Sequence, residues 1–445
     1  MLSGMNHFSL SLVGRLSLFT LFLMLGTAPA LGQEMSAVSQ VKLGYQGDPA
    51  SSISVSWRAP QTATRGVVQF VEGERAEFST CAAPCLEVAA SPTTLTTQDA
   101  GTVTFLRAQL SALKPNTLYS YRAGDGSNWS PVYRFRTAPT SGPFSVAFGG
   151  ELHIGDKFQP GLKAMADTIM KANPTFMMSA GDNINTGALE NEWSRFFDQS
   201  PAFFGTIPFM SAVGNHETYG KDANGTDVQG NPNPLYFANF SMPKNGADDS
   251  GRSYSFDMNG VHFVSLEANL STALDNVQKQ AEWLKRDLAQ AAGRTRFQIV
   301  TMHAPILHSR LSRTEQPKLN IKYENPEFPE LLMPIFDQYG VDLVVAGHDK
   351  AYVRSLPMVG QSAPDKTPKI SVQTVPNGQG TVYVQLSTTG EKYPDFFYQD
   401  WMAVGRVDIS EYLLVNIEED RLNVQAYQAD GKVVDSFTVM PRAAK

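Results

Sequence analysis

Polar clusters follow five apolar runs in the second part of the chain. The most specific cluster is Gly214-Asn215-His216-Glu217, which follows the run 208–213. In an open α/β sheet, ligands bind outside the carboxyl ends of the strands. We therefore expect the five clusters to meet in one site, and the other four supply Glu151 and His153, Asp182, His303, and His348 with Lys350.

Histidine is concentrated in and beside these clusters. The chain has seven histidines, and five of them lie there: His153, His216, His303, His308 and His348. Carboxylate, imidazole and amide ligands without thiolates suit ions such as Zn, Mn or Fe. Two such ions about 4 Å apart would clamp a phosphoryl group and lower the pKa of water toward neutrality. Asp182 stands alone in its turn, so we expect it to bridge the two ions.

The elements that must position these residues alternate between strands and helices. Buried strands are expected at 144–148, 174–180, 209–213, 297–302 and 341–346, and helices at 157–172, 189–199, 273–292 and 326–339. The tail is strand-rich, with strands expected at 381–386, 412–417 and 422–427. The segment 217–251 is a long stretch without periodicity, which is usually functional or disordered. The pattern predicts a layered α/β sandwich of two sheets flanked by helices.

A different pattern precedes this region. Short alternating strands separated by turn residues fill 36–138 and predict an all-β sandwich that resembles a fibronectin type III domain. It carries no histidine and is expected to be an accessory module. The composition of 139–143 predicts a linker, so the α/β domain is expected to occupy 144–441.

The composition and the first residues indicate the compartment of the protein and exclude one class of partner. The net charge of −7 argues against nucleic-acid binding. Arg15, a short apolar run and small residues predict a cleaved signal peptide over 1–32. The protein is then secreted or periplasmic, with no stable membrane anchor after cleavage. Cys81 and Cys85, the only cysteines, are expected to close a small disulfide loop.

Together these residues resemble the calcineurin-like metallophosphoesterases. The order of the clusters carries the resemblance, and the sandwich in front, the segment 254–264 and the β-rich tail are similar to the purple acid phosphatase branch. The resemblance implies that Asp182 bridges two metal ions and that Asn215, His303 and His348 complete one site. It also implies that His216 protonates the leaving group or holds the phosphate.

The other metal site departs from the family pattern. Glu151 stands where the family has Asp, Asn185 replaces the tyrosine of the purple enzymes, and Lys350 replaces the second histidine of Gly-His-x-His. Glu151-Leu-His153 resembles the Asp-x-His opening of non-purple relatives, so Glu151, His153 and Asp182 could form a three-ligand site. Lys350 would then supply charge to phosphate. Alternatively, the ion of this site is missing and the positive charge of Lys350 occupies its place. His308 is a candidate for the substrate side.

These residues predict an exported metal-dependent phosphoesterase that acts on phosphorylated small molecules. It would use one or two Mn, Zn or Fe ions per chain to hydrolyse monoesters or diesters. Two alternatives stay open: a binding protein that kept the fold and lost turnover, and a one-metal enzyme that uses only the intact site. The sequence does not indicate an oligomeric state.

Overall fold

The computed structural model describes residues 38–78, 81, 84–154, 161–221, 231–268, 274–309, 327–362, 370–386, 396, 398–407 and 410–442. The signal peptide expected at 1–32 lies outside these residues. Within the described part of the chain, no helix combines the length and the apolar character needed to cross a membrane.

The first part of the chain is an antiparallel β-sandwich, as its alternating pattern predicted. Sheet pairing follows the order β1-β2-β5-β4-β3-β6-β7. The strands are β1 (Ser39–Gly44), β2 (Ile53–Ala59), β3 (Gly66–Glu72), β4 (Leu86–Thr97), β5 (Gly101–Leu110), β6 (Leu118–Gly124) and β7 (Tyr133–Arg136).

Strand β4 connects the two layers of this sandwich. Its first residues pair with β3 and its later residues pair with β5, so one long strand passes from one layer to the other. Trp57 and Tyr121 are fully buried, and the hydroxyl of Tyr121 donates to the carbonyl oxygen of Gly205 in the second part of the chain. The expected disulfide between Cys81 and Cys85 is present.

The second part of the chain contains two further large sheets. The first has the order β10-β9-β8-β20-β21-β22 and the second the order β11-β12-β13-β14-β18-β15-β19. The first contains β8 (Phe144–Gly149), β9 (Phe176–Ser179), β10 (Phe209–Ser211), β20 (Glu411–Ile417), β21 (Leu422–Gln428) and β22 (Val433–Val439). The second contains β11 (Tyr254–Met258), β12 (Val261–Leu266), β13 (Phe297–Met302), β14 (Leu343–Ala346), β15 (Tyr352–Ser355), β18 (Val382–Gln385) and β19 (Met402–Arg406).

Parallel strands form one half of the first sheet and the centre of the second. Strands β8, β9 and β10 are parallel to one another, and so are β12, β13, β14 and β18. The sheets pack face to face, with the rings of Phe176 and Phe263 centred 5.0 Å apart. A separate hairpin pairs β16 (Met358–Ser362) with β17 (Ile370–Thr374).

Helices flank this pair of sheets. They are α1 (Gly161–Ala172), α2 (Glu190–Asp198), α3 (Pro201–Phe204), α4 (Pro234–Asn239), α5 (Leu274–Ala291) and α6 (Glu327–Tyr339). The apolar residues of α1 belong to the core of the first sheet, and those of α5 and α6 cover the outer face of the second. The predicted fold, a β-sandwich followed by a layered α/β sandwich, is confirmed.

The segment 217–251 differs from the aperiodic stretch that its sequence indicated. It contains most of a 3-10 helix, His216–Thr218, and all of α4. The side chain of Asn233 caps α4 by accepting a hydrogen bond from the backbone of Leu235. With only six residues, α4 is too short to show a helical period. The start of the helix expected at 157–172 falls partly outside the described residues, and its described part begins at Gly161.

Candidate metal centre

The five polar clusters meet where the two sheets present the carboxyl ends of their parallel strands. Glu151 follows β8, Asp182 follows β9 and Asn215 follows β10, all in the first sheet. His303 follows β13 and His348 follows β14 in the second sheet. All five residues are buried. The structure thus brings together side chains that are separated by nearly two hundred residues in sequence.

The Asp182 carboxylate lies at the centre of this group. Its Oδ2 is 3.3 Å from Nε2 of His303, 3.6 Å from Nε2 of His153 and 3.8 Å from Nε2 of His216. Its Oδ1 accepts a hydrogen bond from the backbone N–H of His216 at 2.9 Å. Burial acts to raise the pKa of Asp182, but the neighbouring histidines, His303 first among them, outweigh it and hold this pKa far below its usual range.

Two groups of ligand atoms share this carboxylate. One consists of Asp182, His303 and His348, and the other of His153, Asp182 and His216; within each group the ligand atoms lie within 4.8 Å of one another. Asn215 adjoins the first group, because its Oδ1 is 2.8 Å from Nε2 of His303. This supplies two sets of nitrogen and oxygen ligands with a common carboxylate, as a pair of Zn, Mn or Fe ions requires.

The histidine rings are oriented by acceptors on their outer side. Nδ1 of His303 lies 2.9 Å from the carbonyl oxygen of Ala180, and Nδ1 of His216 lies 2.7 Å from that of Asn185. Because a carbonyl oxygen only accepts, each Nδ1 carries the hydrogen and each Nε2 points at Asp182. This is the outer support that metal-binding histidines usually have.

The inner side of the site fits a cation. Nε2 of His303 faces the oxygens of Asn215 and Asp182, so acceptors converge there. Burial acts to lower the pKa of His303, but Asp182 and then Glu151 raise it to about 9. A proton or a metal ion satisfies the same atoms, and the two compete because histidine ligates in its neutral form.

Glu217 fixes the turns that carry these ligands. Its Oε2 accepts hydrogen bonds from the backbone of Asp182 at 2.9 Å and of Gly214 at 2.7 Å. Its Oε1 accepts from the backbone of Asn183 at 2.8 Å. Burial, followed by the charge of Asp182, raises the pKa of Glu217 to about 7. The sequence assigned Glu217 no role of its own. The available signal was its position directly after Asn215 and His216.

The backbone of the site is tightly packed and strained. A Cβ on Gly214 would lie 2.1 Å from Oδ1 of Asp182, so only glycine fits there. Ten non-glycine residues of the described chain have positive φ, and half of them are site residues: Glu151, His153, Asp182, His348 and Lys350. Such strain is sustained only where the surroundings enforce it, and it concentrates at functional sites.

Glu151 touches both sides of the centre. Its Oε2 is 2.9 Å from Nε2 of His153, and its Oε1 accepts a hydrogen bond from the backbone of His348. Burial and Asp182 act to raise the pKa of Glu151, but the hydrogen bond from His153 and the charge of His303 outweigh them and lower it. Glu151 therefore lies beside both ligand groups and links the end of β8 to the end of β14.

Asn185, at the position of the tyrosine in purple enzymes, supports two histidines. Its carbonyl oxygen contacts His216, and its Oδ1 is 3.1 Å from Nδ1 of His153. Lys350 is buried and near enough for its charge to oppose protonation of His153. Burial acts to lower the pKa of His153, but Glu151 and Asp182 raise it overall.

His308 and Asp349 form a pair at the edge of the centre. His308 is buried, and its Nδ1 lies 3.2 Å from Oδ1 of Asp349. Asp349 also accepts hydrogen bonds from the backbone and hydroxyl of Ser309. The carboxylate of Asp349 therefore fixes the chain that leaves β13.

Tyr219 also supports the centre, although the sequence assigned it no role. Its hydroxyl accepts a hydrogen bond of 2.7 Å from Nδ2 of Asn215, which turns the amide oxygen toward His303. Its ring is centred 4.5 Å from the ring of His216. The four-residue spacing from Asn215 was the available signal. His262 lies away from the centre, between Asp257 and Asp287, as expected of a structural histidine.

Comparison with known proteins agrees with this site. A model described as the N-terminal domain of purple acid phosphatase matches residues 38–137, and one described as calcineurin-like phosphoesterase matches 145–352. Acid phosphatase type 7 of Homo sapiens is 27% identical over 444 residues and covers 94% of each chain. Purple acid phosphatase 15 of Arabidopsis thaliana is 28% identical over 281 residues, which are 56% of this chain and 48% of that protein.

Solved structures share the fold. Purple acid phosphatase PPD1 from yellow lupin (Lupinus luteus) has a TM-score of 0.72 at 18% identity, covering 92% of this chain and 75% of its own. The chain belongs to the calcineurin-like metallophosphoesterases, in the branch with a purple acid phosphatase N-terminal domain. It is a phosphoric ester hydrolase that acts on phosphorylated substrates and uses metal ions such as Fe, Zn or Mn.

Proposed function

We propose that the protein is an exported phosphoesterase whose two metal ions share Asp182 and which hydrolyses phosphorylated small molecules. The observation that carries this proposal is the single Asp182 oxygen facing nitrogen ligands on both sides, 3.3 Å from His303 and 3.6 Å from His153. In this assignment one ion is held by Asp182, Asn215, His303 and His348. The other is held by Glu151, His153 and Asp182.

The bound ions would neutralise phosphate charge and activate a water for attack at phosphorus. The residues around them orient the ester. His216 is the most open member of the group, since its side chain is 24% exposed, whereas those of His153 and His303 are 3% and 0% exposed. Because Nδ1 is held by the carbonyl of Asn185, Nε2 would hold a phosphate oxygen or protonate the leaving group only when the ring carries a second proton. Burial opposes that proton, since it lowers the pKa of His216.

Lys350 and His308 are assigned to the substrate side. A lysine ammonium donates hydrogen bonds and carries charge but does not ligate metal while protonated. The ammonium of Lys350 would therefore offset the negative charge of a phosphate bound beside His153. His308, supported by Asp349, would flank the same phosphate.

A one-metal enzyme is the second candidate, and the contacts of Glu151 favour it. Both of its oxygens already have protein partners, His153 and the backbone of His348. Lys350 replaces a histidine on the same side. Lys350→His then distinguishes the candidates: a one-metal protein gains a second ion, whereas a two-metal protein keeps its metal content.

Hydrolysis after metal removal tests the proposal. The protein is stripped of metal, supplied with Mn, Zn or Fe, and assayed with an activated aryl phosphate and the corresponding diester. We expect metal-dependent hydrolysis that Asp182→Asn abolishes, and the faster substrate identifies the ester class. Metal binding without hydrolysis of either ester would instead indicate a binding protein that lost turnover.

Export is supported by the disulfide between Cys81 and Cys85, because such bonds persist mainly in oxidising compartments. If the segment 1–32 is a cleaved signal, the protein recovered outside the cytoplasm begins near residue 33. Mass spectrometry of its N-terminal peptide measures this. Recovery of the uncleaved chain in the cytoplasm would contradict export.

A further inference from the structure

The β-sandwich contacts a helix that lies just behind the metal centre. Helix α2 has Leu189 at its N-cap position, and this residue makes no capping hydrogen bond through its side chain. Asp99, at the tip of the hairpin between β4 and β5, supplies the missing acceptors. Its Oδ1 accepts from the backbone of Glu190 at 2.9 Å and its Oδ2 from that of Asn191 at 3.0 Å.

The capped end of α2 holds the turn that supports two histidines. Glu192, in the first turn of α2, accepts hydrogen bonds from the backbone of Asn185 at 2.9 Å and of Thr186 at 2.8 Å. Asn185 in turn contacts Nδ1 of both His153 and His216. Asp99 is therefore connected to these rings through two intermediate groups. The first is α2 with its residue Glu192, and the second is Asn185.

A second charged residue of the sandwich, Arg107, supports the turn that contains Glu217. Nη2 of Arg107 donates to the carbonyl oxygens of Phe237, Ala238 and Phe240, at the C-terminal end of α4, at 2.8 to 3.1 Å. At the other end of α4, the backbone of Asn233 donates to the carbonyl oxygen of Glu217 at 3.0 Å. The carboxylate is at a helix N-terminus and the guanidinium at a helix C-terminus, so each charge matches the helix dipole that it meets.

From these contacts we propose that the β-sandwich is a positioning element of the metal centre, and that Asp99 is its principal positioning residue. Asp99 touches neither metal ligands nor substrate. It orders the start of α2, and through Glu192 and Asn185 it fixes the rings of His153 and His216. This proposal gives the sandwich, which the sequence predicts to be an accessory module, a structural role in the site.

Asp99→Ala tests the proposal, because Asp99 is exposed and its replacement leaves both cores intact. The control is Asp125→Ala. Asp125 lies in the same sandwich and also accepts from two backbone groups, those of Ser127 and Asn128, but only within its own turn. Asp99→Asn is the conservative variant, since it keeps an oxygen for one of the two hydrogen bonds and loses the charge.

Three measurements are made on each variant of the full chain: Mn²⁺ affinity, kcat and KM for an aryl phosphate, and amide exchange across 185–192. In Asp99→Ala we expect faster exchange of the Glu190 and Asn191 amides and Mn²⁺ affinity lower by about threefold to tenfold. This is less than the roughly 10- to 100-fold effect of groups that touch metal ligands directly. We expect kcat to fall with little change in KM, and Asp99→Asn to be intermediate.

Unchanged Mn²⁺ affinity in Asp99→Ala, despite faster exchange at α2, would overturn the proposal. An equal loss in Asp125→Ala, or faster exchange that extends to β12 in the core, would also overturn it, because either result means general destabilisation. The proposal uses the metal centre proposed above, but the affinity and exchange measurements need no turnover. A wild-type protein that binds Mn²⁺ without hydrolysis would therefore refute the phosphoesterase and still test the role of Asp99.

Discussion

One oxygen of Asp182 faces ring nitrogens from both sheets, and this position depends on groups that are not ligands. Glu217 accepts backbone hydrogen bonds from the turns that carry Asp182 and Asn215. Tyr219 holds the amide of Asn215, so its oxygen faces His303. Buried polar contacts thus hold the proposed ligands in place before a metal ion binds. These hydrogen bonds are stronger than exposed ones because water is excluded.

Replacement of Glu217 by glutamine tests this support. The amide has nearly the same shape, but it carries no charge and presents N–H groups to backbone N–H donors. We expect a loss of about 1 to 3 kcal/mol in the free energy of unfolding, and metal affinity lower by roughly 10- to 100-fold. Denaturant unfolding and metal titration measure the two effects. Glu419→Gln, at an exposed position, is the control; equal affinity in both variants would contradict this role for Glu217.

The residues proposed as ligands could be selected from the sequence because few residue types bind metal and each cluster followed an apolar run. The supporting residues Glu217, Tyr219 and Asp349 were not assigned. Their partners are backbone groups or side chains of other turns, and no sequence period records such contacts. Asn185 was noted only as a departure from the family, whereas it orients both His153 and His216.

At the scale of elements, a buried histidine joins helix α5 to the edge of the second sheet. His262 on β12 lies 2.6 Å from Asp257 on the neighbouring strand β11 and 2.9 Å from Asp287 on α5. Burial acts to lower the pKa of His262, but the hydrogen bonds to these two carboxylates raise it to about 9. Asp287 thus faces the sheet from α5, where Ser255 also donates a hydrogen bond to it at 2.8 Å.

This ion pair makes stability depend on pH. A raised histidine pKa means that the stabilisation is complete below about pH 6.5, the ordinary pKa, and disappears as pH rises through about 9. At pH 6 we expect the free energy of unfolding of wild type to be larger than that of His262→Gln by roughly 2 kcal/mol. This figure allows for the solvent around Asp257, which weakens the interaction. Urea unfolding at pH 6 and pH 9.5 measures the difference, which should shrink at the higher pH. A difference that is constant over this range would exclude a charged His262.

Apolar runs predicted the central strands well, because parallel strands buried on both faces are nearly continuously apolar. The part of the chain after β14 was predicted less completely: the described chain also contains β15, β16, β17, β19 and β22 there. These strands lie in the hairpin or toward the edges of the sheets. Such strands alternate weakly, so a period-two pattern does not separate them from loops.

Across the whole molecule, the β-sandwich and the α/β domain share a buried interface. Tyr45, which follows β1, packs its ring 5.9 Å from the rings of both Phe176 and Phe256. Arg58 lies 2.8 Å from Glu190 in a buried ion pair. The sequence indicated two domains by their change of pattern, but it gave no sign of these contacts. Complementary charges on distant segments have no fixed spacing.

Because of this interface, we expect the β-sandwich and the α/β domain to stay together after the linker is cut. A protease site inserted between Thr140 and Ser141, both exposed, allows the chain to be cut within the proposed linker 139–143. We expect the two fragments to elute together on size exclusion in native buffer, because Tyr45 and Arg58 are buried between them. Separate elution would show that the interface does not hold the domains, and it would also remove the basis for positioning by Asp99.

Metal content and turnover, measured on the same samples, show whether the protein is a phosphoesterase that needs two metal ions. The metal-stripped protein is loaded with increasing Mn, Zn or Fe, and bound ions per chain are compared with the rate of aryl phosphate hydrolysis. We expect two ions per chain, with hydrolysis that requires both, and the loss of one ion in His153→Ala and of one in His348→Ala. Hydrolysis that is independent of metal, or a folded protein that binds no ion, would contradict this expectation.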